Sequence, residues 1–206
     1  MQLFSHSSRE PRGQPGVAPV VQLLARVRLT WLLTHLPARL VWALYVLLNG
    51  FVTIAVLAFV AAVADSPFVF PSLGLTAFLF FFNPLAESSS PRNTLCGHAI
   101  GLACGYAAYA ITGMHSFPQT FHGHLYWPRI LSAALSLSTT GALMVLLRVN
   151  HPPAGATTMI VSLGILWRPW YLPVIEAAVV LLTVQAFVIN RLAGLPYPLW
   201  QANEER

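Results

Sequence analysis

Along the chain, apolar and polar positions sort into six apolar runs, two of them short and broken, behind a polar arm. Residues 1–19 are rich in Ser, Pro, Gly and Arg, which predicts a disordered arm. The arm lacks the apolar core and small-residue cleavage site of a signal peptide, and Glu10 and the clustered prolines weigh against a transit peptide. Residues 20–36 read as an amphipathic helix lying in the membrane interface. Val20, Leu24, Val27 and Trp31 share one face, Gln22, Arg26 and Thr30 form a polar ridge, and Pro37 ends it.

Residues 40–64 are long enough to cross about 30 Å of hydrocarbon. Asp65, Ser66 and Pro67 close this first span. The run 68–82 is short and interrupted by Pro71 and Gly74, and a polar loop follows at 83–93. Residues 94–113 form a span rich in Gly and Ala, the composition that lets helices approach closely in lipid. A loop at 114–129 carries His115, His122 and His124; residues 130–147 are span-like; 151–167 is again short and broken; 172–193 is the last span.

The two broken runs repeat one pattern. Pro71-Ser-Leu-Gly74-Leu-Thr76 and Pro152-Pro-Ala-Gly155-Ala-Thr157 both read P-x-x-G-x-T, 81 residues apart. The same offset carries 94–113 onto 175–194, close to the last span, and carries 40–64 onto 121–145, which overlaps the fourth run off-centre. The fold expected is an all-α membrane protein. It would be a polytopic helical bundle of about six segments, four long and two short and broken, arranged as a 3+3 inverted repeat. Its parts are an arm (1–19), an interfacial helix (20–36), a transmembrane domain (40–193) and a short polar tail (194–206). Paired interrupted segments in inverted halves are the best sequence pointer to a transporter's binding site.

Composition narrows the class. Of 206 residues, 56% are hydrophobic and 8% charged, and mean hydropathy is +0.66. Soluble domains carry about 25% charge, so the composition argues against a soluble enzyme, a disordered protein and a nucleic-acid-binding domain and for an integral membrane protein. The net charge of +5 comes from 11 Arg and no Lys. Five of the Arg (Arg9, Arg12, Arg26, Arg28 and Arg39) precede the first span, which is the positive-inside signal. Six crossings put nine Arg inside and leave Arg129 and Arg168 outside; four crossings divide them eight to three. The expected location is the bacterial inner membrane, with both termini in the cytoplasm. Cys96 and Cys104 lie eight residues apart, about 12 Å along a helix. That is beyond disulfide reach, and they read as small core residues.

Candidate chemistry gathers beside the broken runs. Ser88-Ser-Ser-Pro91-Arg92-Asn93-Thr94 opens a helix that carries His98, and Asn150-His151-Pro152-Pro153 opens another at Ala154-Gly155. Helix starts offer unpaired N–H groups and partial positive charge, hence anion sites. Arg92, Asn93, His98, His151, Gly155, Thr157, Thr158, Ser72, Gly74 and Thr76 are the candidate substrate-binding residues. Apart from Glu176 no carboxylate lies within an apolar span, which argues against a cation path. The structural alternatives are plain: Arg92 paired with Glu87, His98 bonded to a core carbonyl, His151 capping a helix, Thr157 and Thr158 bonded back along their own helix. The three loop histidines read as solvated, with no metal site, and no nucleotide-binding or catalytic motif is present. No cofactor and no enzymatic activity are expected.

The string His151-Pro-Pro-Ala-Gly-Ala-Thr-Thr158 resembles the signature of the HPP family of integral membrane proteins. Pro91-Arg92-Asn93 with Gly97-His98 is similar to that family's P-R-N-x-x-G-G-H stretch, with Cys96 in place of the first Gly, and Pro84-Leu85-Ala86 resembles its S-P-L-A. The family usually has Gly at the position of Ala154 and Ala at that of Thr158, and here Glu87 to Ser90 lengthen the loop before Arg92. Some plastid and cyanobacterial members are nitrite transporters. The resemblance implies a small-anion transporter, with nitrite the best single substrate. A non-transporting scaffold, sensor subunit or assembly factor is the alternative. Expected partners are a small anion and the lipid bilayer, without nucleic acid; a homodimer fits, because six short segments enclose little space alone.

Overall fold

The computed structural model describes residues 29–66, 69–117 and 126–202. The proposed arm, most of the interfacial helix, and His122 and His124 lie outside the described residues. Those described contain seven α-helices and no strand. They are α1 (Leu29–His35), α2 (Ala38–Ala64), α3 (Pro71–Phe82), α4 (Pro91–Ile111), α5 (Trp127–Leu146), α6 (Ala154–Ser162) and α7 (Tyr171–Leu192), with short 3-10 turns at Glu87–Ser89 and Met114–Ser116. Four helices, α2, α4, α5 and α7, are long and apolar enough to span a membrane. The protein is an integral membrane helical bundle.

Helix boundaries follow local chemistry. Pro37 separates α1 from α2, and Asp65 takes the left-handed conformation that ends α2. Pro71 and Pro91 occupy the first turns of α3 and α4, where their missing N–H costs nothing. Ser90 caps α4 by accepting from the Asn93 N–H. The long helices begin or end within a few residues of the expected spans, because end residues such as Pro91 and Arg92 are polar yet helical.

The two short helices are about 18 Å and 14 Å long at 1.5 Å per residue. Neither crosses hydrocarbon alone.

Contacts fix the directions. Gly97, Gly101 and Gly105 of α4 meet His151, Ala154 and Thr158 in the same order, so α4 and α6 run parallel. Tyr45 near the start of α2 donates to Asn190 near the end of α7, at 2.7 Å. Asn190 in turn donates to the Phe80 carbonyl near the end of α3, at 3.3 Å. Arg92, at the start of α4, reaches the carbonyls of Leu147 and Arg148 at the end of α5. One side therefore gathers the starts of α2 and α4 and the ends of α3, α5 and α7. At the other side Tyr109 stacks with Trp167, 6.5 Å between centroids. The six segments alternate in direction, up-down-up and then down-up-down. That is the geometry of an inverted pair, with Arg39, Arg92, Arg148 and Arg191 on one side and Arg129 and Arg168 on the other.

Helix α4 is central: half of its spanning window is buried, against 11% for α2, which faces lipid. Its most extensive partner is α6, then α5. A hypothetical Cβ on Gly101 would lie 2.8 Å from the Ala154 carbonyl oxygen, and one on Gly105 2.7 Å from that of Thr158. Only glycine permits this approach of backbones. An apolar core joins α2, α3, α4, α6 and α7 through Leu57, Leu73, Phe80, Leu102, Val161, Val179 and Leu182.

The tail after α7 is no free appendage. Tyr197 is fully buried and donates to the Ser89 carbonyl, and the Trp200 carbonyl accepts the Arg92 N–H at 2.9 Å.

Candidate functional site

The two P-x-x-G-x-T threonines, 81 residues apart in sequence, meet one imidazole. Thr157 Oγ1 lies 2.7 Å from His98 Nδ1, and Thr76 Oγ1 lies 3.0 Å from His98 Nε2. Thr76 Oγ1 is also 3.2 Å from His151 Nε2, and the two Nε2 atoms are 3.2 Å apart. All four side chains are buried. Each comes from a different piece of chain: Thr76 from α3, His98 from α4, His151 from the extended lead into α6, and Thr157 from α6.

The partners dictate where protons sit. His151 Nδ1 lies 2.8 Å from the Ser88 carbonyl. A carbonyl only accepts, so Nδ1 carries the proton and Nε2 of neutral His151 is an acceptor. His98 Nε2 then donates, towards Thr76 Oγ1 and His151 Nε2, and His98 Nδ1 accepts the Thr157 hydroxyl. Thr76 has two targets for its own proton, His151 Nε2 and the Ser72 carbonyl at 3.0 Å. The result is a directed chain, Thr157 to His98 to Thr76 to His151 to Ser88, in which every imidazole nitrogen is used. Thr94 Oγ1 stands 3.5 Å from His151 Nδ1.

Buried hydroxyls continue the polar line. Thr140 donates to Thr158 Oγ1 at 3.1 Å, Ser136 to Ser162 Oγ at 2.9 Å, and Ser132 to the Ser162 carbonyl at 2.8 Å. Such bonds hold helices together where lipid offers no hydrophobic drive. Beside this polar line, between α5 and α6, a cleft of about 480 Å³ is lined by Arg129 and by the apolar Ile130, Ala133, Leu137, Met159 and Leu163. A second cleft of about 340 Å³ is lined by Glu87, Met144, Arg148, Asn150, His151 and Pro152. A polar seam with the histidine pair buried in it thus runs between α4, α5 and α6, and His151 borders the second cleft. Sequence reasoning missed Ser132, Ser136, Thr140 and Ser162; the four-residue spacing of the first three was the available signal.

Other candidates lie elsewhere. Arg92 does not reach the histidines: its guanidinium bonds Asn93 Oδ1 at 3.2 Å and the Arg148 and Leu147 carbonyls at 3.0 and 3.3 Å, closing the end of α5. Glu87, the partner considered for Arg92, accepts instead from Asn93 Nδ2 at 3.2 Å. Gly74 is exposed, with open space where a Cβ would be. Gly155 faces Leu137 of α5. Thr158 bonds Thr140 rather than the imidazoles, and the Ser72 hydroxyl is buried without a hydrogen-bond partner. The helix starts expected to hold an anion have their N–H groups engaged. Those of Ala154, Gly155 and Ala156 bond the carbonyls of His151, Pro152 and Pro153, and those of Arg92, Asn93 and Thr94 bond Trp200 and Ser90. Among the described residues no three His, Cys, Asp or Glu side chains gather as a metal site, and Cys96 and Cys104 are free thiols.

No solved structure matches this chain. A transmembrane protein of Dictyostelium discoideum is 25% identical over 136 residues, which is 63% of this chain. The chain spans 44% of that relative's length. The profile of the HPP transmembrane region matches residues 35–198, which takes in all four long spans, both broken segments and buried Tyr197. With His151-Pro152-Pro153 at the centre of its polar cluster, the chain belongs to the HPP family of transmembrane proteins.

Proposed function

We propose that the protein carries a small inorganic anion across a membrane, nitrite being the best single substrate and a bacterial inner membrane its location. One observation carries the reading: the broken segments of both halves deliver donors to one buried imidazole pair at the centre of a polar seam. Two half-length helices that meet between inverted units are the arrangement of transporter binding sites. Polar groups buried in a membrane bundle are costly and mark substrate paths. The cluster offers hydroxyl and imidazole N–H donors and no carboxylate, which suits an anion. The helix-start N–H groups bond the protein's own carbonyls, so recognition falls to the side chains of Thr76, His98, His151 and Thr157, whose hydrogen bonds to one another would reorganise around the anion. Arg92 acts on the entrance through α5 rather than on the anion.

Purified protein in liposomes should pass nitrite faster than protein-free liposomes. Absence of protein-dependent flux for nitrite, nitrate, formate and bicarbonate would exclude transport. A tight complex isolated in mild detergent would then favour the scaffold reading.

A further inference from the structure

We propose that the His98–Thr76–His151 cluster takes up one proton together with each anion, so that the protein moves the pair as an electroneutral unit. The inference rests on the anion-transport reading and goes beyond it to the coupling ion.

The argument is one of hydrogen-bond capacity. In the neutral cluster the Thr76 hydroxyl donates to His151 Nε2 across 3.2 Å and accepts from His98 Nε2 across 3.0 Å. Adding a proton at His151 Nε2 makes both Nε2 atoms donors only 3.2 Å apart. That clash is resolved without moving any backbone. Thr76 rotates its proton to the Ser72 carbonyl, already 3.0 Å away, and its oxygen accepts from both imidazoles. Thr76 is a rotor with two satisfied positions, one for each protonation state.

What remains unsatisfied in the protonated state is charge. Among the described residues, the groups presented to the pair are Thr76 from α3, Thr94 from α4, Thr157 from α6 and the Ser88 carbonyl from the 3-10 turn, all neutral. Each imidazole's titratable neighbour is the other imidazole, 4.9 Å between centroids. The charged groups nearby, Glu87 and Arg148, line the cleft beyond His151; Glu87 is exposed and bonded to Asn93. A buried positive charge with no fixed counter-ion is strongly disfavoured unless an anion accompanies it. Proton and anion thus stabilise each other's binding, and neither is held well alone. The balance is simple: one proton and one monovalent anion enter on one side and leave on the other, and no bond in the anion changes.

Three measurements test this. In protein labelled with ¹⁵N-histidine in bilayers, His151 should show the Nδ1–H tautomer and His98 the Nε2–H tautomer, and nitrite should shift the pair's protonation towards higher pH. Linkage makes this reciprocal, so nitrite affinity should rise on acidification. In liposomes, protein-dependent nitrite flux should accelerate at acid pH and ignore an imposed membrane potential. His98→Gln and Thr76→Val should slow flux by about tenfold, the kinetic equivalent of one lost hydrogen bond, and remove its pH dependence, while Thr76→Ser restores both. Flux that is driven by potential, or histidine protonation indifferent to nitrite, would overturn the coupling while leaving anion transport standing. Absence of any protein-dependent flux would remove both.

Discussion

At the scale of single residues, Tyr197 has no surface exposed and its hydroxyl donates to the Ser89 carbonyl. Phe80 and Phe187 meet its ring edge-on, at 6.4 and 6.2 Å. Tyr197→Phe keeps the ring and strands a buried carbonyl, at a cost of about 1–3 kcal/mol, to be read as a lowered melting temperature in detergent. Burial, and secondarily the nearby Tyr45, push the Tyr197 phenol well above the usual tyrosine range. In the unfolded chain the same phenol ionises near pH 10. Above that pH the unfolded state loses a proton that the folded state keeps, so stability falls as pH rises. Melting temperature should therefore drop above about pH 10, and less steeply in Tyr197→Phe. The burial of Tyr197 was not legible from Leu-Pro-Tyr-Pro, because the carbonyl its hydroxyl meets, that of Ser89, lies 108 residues earlier. Arg92 shows the same limit. Its charge and its place at a helix start suggested an anion ligand, while the carbonyls it bonds lie 55 and 56 residues downstream.

At the scale of elements, the glycine face of α4 sets how near α6 can stand. Gly101→Ala or Gly105→Ala would press a methyl group against a backbone oxygen, which cannot rotate away. Overpacking of this kind costs about 1–3 kcal/mol, and unfolding in detergent should register it at both positions. Gly74→Ala, with nothing within 4 Å of its Cβ position, should be neutral. The small-residue composition of 94–113 made the close packing legible. It did not say which helix would approach, since that depends on the non-helical chain that brings His151 and Ala154 to α4. The hydroxyls of α5 escaped notice for a related reason: Ser132, Ser136 and Thr140 look like ordinary soft polarity until Thr158 and Ser162 stand opposite them.

At the scale of the whole molecule, six alternating segments place Met114–Ser116 on the side opposite both described chain ends. A cysteine at Ser116, an exposed position, in a background lacking Cys96 and Cys104 should react with an impermeant thiol reagent in whole cells. Reaction only after lysis would mean the opposite orientation. The repeat expected from the sequence is faint there for a physical reason. The 81-residue offset pairs His98 with Val179 and His151 with Phe70, and both counterparts sit in the apolar core. At each of these two positions one half carries the imidazole and the other a packing residue, while Pro71 and Pro152, Gly74 and Gly155, and Thr76 and Thr157 are identical across the offset.

The most extensive interface among the described helices, α4 on α6, joins the first unit to the second. Contacts of α4 with α5, α3 with α7 and α2 with α7 join them again. With so many contacts between the units, the covalent link at residues 112–126 should be dispensable to their association. Severing the gene within that link and expressing the two pieces together should yield a complex that copurifies from membranes. Gly101→Leu on the first piece should part them, because the separated halves have no tether to hold a damaged seam together.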